Sequence, residues 1–234
     1  MGAVHMIGTF HRDVEGETRI KTQLRSFQPN AVLLEGSQGL FDAQKVAMEE
    51  LARLIDEQGV DGKVAELLLF EQGRKQHEAR AAMEYCAETG INYSFFDDNL
   101  EHRSAAKVRQ FTQESLTGIL SSKRTKEDLL RFMRETLAAE VVANQARATF
   151  FKLFGNTDHE FLLPQAMPNF VKNTATRDPI MFAALQKQLA AGSDRVVTIT
   201  GATHVLVDQG RSTLYCRAFD AGLSVTRAIP SFEE

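Results

Sequence analysis

Residues 195–204 read RVVTITGATH, and residues 6–11 read MIGTFH. In both, a short apolar run breaks off at a glycine, Gly201 or Gly8, and a histidine follows three residues later, His204 or His11. Short apolar segments bounded by glycine, proline or polar clusters read as buried strands. Ala3 to Ile7, Ala31 to Leu34, Ile91 to Phe96 and Arg195 to Ile199 fit that description. Leu223 to Ile229 alternates more and is followed by Pro230, which places it at a sheet edge.

Helical stretches separate the first four strands, the order that builds a parallel sheet. Glu15 to Phe27 puts Ile20, Leu24 and Phe27 on one face and stops before Pro29. Asp42 to Gln58 and Arg74 to Thr89 carry apolar stripes, Val46, Leu51, Leu54 and Ile55 in one and Ala79, Ala82, Met83 and Cys86 in the other, with Gly59 and Gly90 as stops. Glu101 to Phe154 has few breakers and reads as long helices, with Thr125 as a cap before KEDLLRFMRETLAAEVV. Gly155 to Thr176 reads as loop with at most short helices, and Arg177 to Ala191 as one more amphipathic helix with its proline early. The expected fold is a single α/β domain over residues 1–234: a central, mostly parallel sheet flanked by helices, with a helical insertion or cap at about residues 101–176.

Composition sets further bounds. The 234 residues, 43% hydrophobic and 25% charged, are those of an ordinary globular chain with one substantial core. A formal charge of -4 gives no basic face for nucleic acid, and no apolar run approaches the ~20 residues that span a bilayer, so neither nucleic acid nor membrane is an expected partner. Cys86 and Cys216 stand singly in helix-like stretches, which suits a reducing, cytoplasmic setting. There is no CxxC, no G-x-S-x-G, no dinucleotide glycine fingerprint and no P-loop.

Ligands of open parallel sheets bind beyond the carboxyl ends of the strands. The residues there are Gly8, Thr9 and His11; Glu35, Gly36 and Ser37; Asp97, Asp98 and Asn99; and Gly201, Thr203 and His204. Two imidazoles with one or two carboxylates form a mixed nitrogen and oxygen set suited to zinc, manganese or cobalt, and a carboxylate outside the set can act as a general base. The plainer alternative is that these are turn and capping residues. His5, His77, His102 and His159 lack the G-x-x-H setting, and of these His77 and His102 come next in rank.

Taken in order, these motifs resemble the TraB, or pheromone-shutdown, family, in the wider group of the Tiki metalloproteases and GumN-like proteins. GTFH is similar to the family's G-T-x-H; VLLEGS supplies a strand ending in Glu35; HEARAAMEYCAETGINYSFFDDN supplies a helix with Glu78 and a strand ending in Asp97, with Arg103 beyond; ATRDPIMFAALQ and GATH complete the order. Two places depart from the pattern: Glu78 lacks the usual glycine before it and methionine after it, and Asp178 stands where asparagine is frequent. The resemblance implies a divalent ion held by His11, His204, Glu35 and Glu78. It also implies catalysis by Glu35, Glu78 and Arg177, and a substrate lined by Thr9, Ser37, Asp97, Arg103, Asp178 and Thr203.

The expected activity is therefore metal-dependent hydrolysis of a peptide or other amide or ester bond. The alternative is a non-enzymatic module that binds a peptide or small ligand in the same crevice. The long helical block offers a surface for a homodimer.

Overall fold

The computed structural model describes residues 2–10, 13, 15–73, 77–97, 104–121, 125–136, 138–139, 142, 168–207 and 210–229, with backbone alone for 168–174. His11, His102, Arg103, Asp98, Asn99, His159 and the predicted helix over 143–154 lie outside them. Five strands form one parallel sheet: β1 (Ala3–Thr9), β2 (Ala31–Leu34), β3 (Asn92–Phe95), β4 (Arg195–Gly201) and β5 (Ser224–Ala228), in the order β3-β2-β4-β1-β5. The α/β class holds, and β5 takes the edge position that its alternation suggested.

Alternation along the strands sorts side chains into two cores. On one face Val4, Met6, Leu33 and Val196 pack under α7 (Pro168–Ala190) and α8 (Leu214–Asp220), through Met181, Leu185, Leu214 and Cys216. On the other, Ile7, Val32, Leu34, Val197 and Ile199 meet α1 (Gly16–Phe27) and α4 (His77–Thr89), through Ile20, Leu24, Ala81, Ala82, Tyr85 and Cys86. Cys86 and Cys216 are free and buried.

A third core lies apart from the sheet. It joins α2 (Gln38–Glu57), α3 (Gly62–Gly73), α5 (Ala105–Ser121) and α6, whose described part covers residues 126–136, through Leu51, Leu54, Val64, Leu68, Leu116 and Leu129. The helical layer thus draws on α2 and α3 as well as on chain beyond residue 101. Thr125 caps α6 as expected, its hydroxyl accepting from the Asp128 N–H at 3.1 Å.

Helix α3 escapes the periodic reading because Leu67, Leu68, Leu69 and Phe70 are contiguous; only Val64 and Leu68, one turn apart, are buried. Helix α7 begins at Pro168, so the end of the segment read as loop with at most short helices joins this long helix, and Pro179 sits inside it instead of in its first turn. Proline suits a first helical position, which Pro168 fills, whereas Pro179 costs α7 one backbone hydrogen bond. Among the described residues no helix is long and apolar enough to cross a membrane.

Strands β1 and β4 are neighbours, with Gly8 opposite Thr200 and Thr9 opposite Gly201. The chain leaves β1 towards α1 on one face and leaves β4 towards α8 on the other. Such a divergence at adjacent strand ends is where open parallel sheets leave room for a ligand.

Candidate functional site

Glu35 follows β2 on the α7 face, and its two oxygens are held from different elements. One, Oε2, accepts the backbone N–H of Gly201 at the end of β4; the other, Oε1, accepts from Nη2 of Arg177 on α7. The same guanidinium donates through Nε to Asp97 Oδ2, 2.7 Å away, just beyond β3. Arg177 therefore ties together the carboxyl ends of β2 and β3. Asp97 is fully buried, and among the described residues its Oδ1 has no hydrogen-bond partner.

His204 sits on the 3₁₀ turn Ala202–Val205 that follows β4 and is buried. Its Nδ1 lies 2.6 Å from Asp178 Oδ1, and Asp178 Oδ2 accepts the Leu214 N–H at 2.6 Å. Asp178 is fully enclosed and reaches no solvent. The opposite nitrogen of His204, Nε2, faces Glu35 Oε1 at 3.5 Å, the outer limit of a hydrogen bond.

Charge states follow from these partners. Burial pushes the Glu35 carboxyl up, but His204, Arg177 and the Gly201 N–H together hold it well below the carboxylate range. Burial alone would depress His204; Asp178 and Glu35 outweigh it and raise the imidazole to about 9. Burial also raises Asp178, against the pull of His204, and Arg177 is held fully charged by Glu35 and Asp97 despite its burial. His204 is thus an imidazolium at neutral pH, set between two carboxylates.

Thr9 and Glu78 lie on the other face. The Thr9 hydroxyl stands 3.0 Å from the Thr200 carbonyl and 3.2 Å from Glu78 Oε1, so one proton is shared between two acceptors. Glu78 Oε2 is 3.3 Å from His77 Nδ1. The Glu78 group belongs to the α1 and α4 side and touches Thr9; the Glu35 and His204 group belongs to the α7 and α8 side and touches Gly201, the register partner of Thr9.

The remaining expected residues have plainer positions. Ser37 is buried and caps α2, accepting from the Leu40 N–H at 3.2 Å. Thr203 is half-buried on the turn that carries His204. His11, the partner in the G-x-x-H pair, and Arg103 lie outside the described residues, although Thr9 and Gly201, which precede the two histidines, are register partners. Among the described residues no three His, Cys, Asp or Glu side chains are grouped to hold a metal ion.

Sequence reading passed over Asp13 and Gly16. Buried Asp13 accepts from Arg19 Nη1 at 2.6 Å and from the Glu15 N–H at 3.1 Å, fixing the turn before α1. A Cβ on Gly16 would stand 2.4 Å from His77 Nε2. No local pattern announces either, because both act through contacts made only after folding.

Compared with known proteins, the chain matches no family model, no curated sequence and no solved structure.

Proposed function

We propose that this chain is a metal-dependent hydrolase, TraB-like in the order of its motifs, that cleaves a peptide or other amide or ester bond. The observation that carries the reading is the line Asp178–His204–Glu35, 2.6 Å on one side of the imidazole and 3.5 Å on the other. A carboxylate on the far nitrogen is the usual support of a metal-ligating histidine. Two donors about 2.0–2.2 Å from a tetrahedral ion stand about 3.4 Å apart, so the spacing of Nε2 and Oε1 fits the group.

His204 and Glu35 would hold a zinc, manganese or cobalt ion, with His11 as the further ligand that the resemblance implies, which leaves Glu78 outside the ligand set. Such an ion polarises a carbonyl and brings the pKa of bound water near neutrality. The chain's own residues do the rest. Asp178 fixes the Nδ1–H of His204, and the Gly201 N–H and Arg177 fix Glu35. Glu78, steadied by Thr9, accepts a proton as general base. Arg177 faces developing negative charge. The two buried thiols agree with work in a reducing compartment such as the cytoplasm, and the exposed Phe111 and Phe132 of the helical layer would suit a homodimer.

A second reading, a ligand-binding module without turnover, is favoured by one feature: protonated His204 and Arg177 already counter the charges of Glu35, Asp97 and Asp178 without a metal. Elemental analysis of gently purified protein separates the two, joined to hydrolysis of nitrophenyl esters and fluorogenic peptides with and without chelator. Chelator-sensitive turnover supports the hydrolase. Absence of turnover with zinc, manganese and cobalt each supplied would leave the binding module.

A further inference from the structure

The first helical residue of α1 is a glycine, although alanine is favoured over glycine in a helix by up to about 1 kcal/mol. Backbone freedom does not explain it, since Gly16 has no positive φ. Space does. A Cβ at Gly16 would lie 2.4 Å from His77 Nε2 and 2.5 Å from its Cδ2, contacts that real Cβ atoms do not make. The His77 ring is almost fully enclosed, so it has no free direction in which to yield. Asp13 fixes the height of this turn, accepting the Glu15 N–H and the Arg19 guanidinium while its carbonyl accepts the Gly16 N–H at 3.2 Å.

The far edge of the same ring faces catalysis. His77 Nδ1 stands 3.3 Å from Glu78 Oε2, and Glu78 Oε1 meets the Thr9 hydroxyl at the end of β1. Neighbouring residues on a helix do not ordinarily face each other. Here the pairing arises at the first turn of α4, where the ring is pressed from behind by α1.

We propose that His77, seated by Gly16, is the positioning residue of Glu78: it holds one carboxylate oxygen so that the other stays against Thr9 at the β1 and β4 ends. Among its described contacts His77 meets Glu78, and its effect on rate runs through that carboxylate. The proposal rests on the hydrolase reading for its effect on rate, but not for its effect on the position of Glu78.

The test is a pair of substitutions that a packing role would not distinguish. In His77→Asn the amide nitrogen replaces Nδ1 and can still meet Glu78; in His77→Gln it falls where Nε2 was and cannot. With p-nitrophenyl acetate as probe, His77→Gln and Gly16→Ala are expected to lose at least about tenfold in kcat with KM little changed, and His77→Asn to stay within about threefold of the parent, since small misplacements of a catalytic group carry penalties of this size. Equal kcat in His77→Asn and His77→Gln would overturn the proposal.

The carboxyl carbon resonance of Glu78, in protein carrying labelled glutamate, is the second measurement. It is expected to move in His77→Gln and to stay near its parental position in His77→Asn. If it stays put in His77→Gln, the positioning role fails even where the ester is hydrolysed. If the parent hydrolyses nothing but the resonance moves, the positioning stands and the hydrolase reading alone falls.

Discussion

His204 and Asp178 meet through Nδ1 and Oδ1 at 2.6 Å across 26 positions of sequence, and the second oxygen of Asp178 is taken by the Leu214 N–H. One buried carboxylate therefore joins the turn after β4 to the start of α8 and fixes which nitrogen of His204 faces Glu35. Asp178→Ala leaves the imidazole and a buried N–H without an acceptor. Removing one partner of a buried pair typically costs about 3–5 kcal/mol, and a loss in that range is expected from urea unfolding. Asp178→Asn keeps an acceptor for one of the two and should lose less.

Among the described residues Arg177 is the one cation on buried Asp97 and one of two cations on Glu35. Arg177→Met should destabilise the fold by about 3–5 kcal/mol, as breaking a buried ion pair does. Arg177→Lys presents a point charge in place of a planar fork and can bridge only one of the two well, so its loss falls between. Guanidinium unfolding midpoints of the three proteins, compared at constant slope, check the order.

The arrangement around this arginine shows how far the sequence was legible. Strands β1, β2 and β4 could be read from composition and boundaries because each is short, mostly apolar and largely buried, whereas β3 and β5 alternate between exposed and half-buried positions; the repeated G-x-x-H points to β1 and β4 ending at one edge of the sheet. In sequence Arg177 stands at the start of a predicted helix, where the dipole disfavours a cation and a nearby carboxylate is wanted; Glu35 and Asp97 answer it, although α7 begins at Pro168 and the arginine lies inside the helix. Asp178 read as a residue lining the site, whereas it is wholly enclosed behind His204. That difference depends on α8 folding back over α7, which no local pattern encodes. Glu78 was legible as a carboxylate at the boundary of a buried face, but not the contact with His77, since the ring is set by a missing side chain on α1.

Stability should depend on pH through His204. Its folded value of about 9 lies above the ordinary 6.5, so its contribution is complete below pH 6.5 and is lost as pH rises towards 9. A shift of this size corresponds to at most about 3 kcal/mol. Glu35 works in the opposite sense: held below its ordinary 4.5, it contributes above that pH and loses its contribution as pH falls below it. Chelator-treated protein should therefore be most stable between about pH 4.5 and 6.5 as far as these two groups decide it. The decline from pH 6.5 to 9 should be flattened in His204→Gln, which thermal melts across that range would reveal.

On the hydrolase reading, metal uptake and this proton would compete. A ligating imidazole must shed its proton, so binding of zinc at pH 7 should release about one proton from His204 and tighten by up to about tenfold per pH unit until pH 9. Calorimetric titration of zinc in two buffers of different ionisation enthalpy gives the proton count. Binding with no proton release would place the ion away from His204.

Gly8 offers the sharpest test of how the site is carried. A Cβ there would stand 2.5 Å from Val205 Cγ2 and 3.0 Å from the Ala202 Cα, so the turn that bears His204 rests directly on the bare backbone of β1. The methyl of Val205 can shift, but the Cα of Ala202 belongs to the turn itself and moves only if the turn does. Gly8→Ala should therefore lift the turn, at about 1–3 kcal/mol as overpacking does, and carry the imidazole away from Asp178 and Glu35. The measurable signature is joint: a lower melting temperature together with a fall of the His204 pKa from about 9 towards 6.5, read from its ring resonances. A destabilised Gly8→Ala protein with an unchanged His204 titration would mean that the strain is absorbed at Val205, and that the glycine serves packing without placing the histidine.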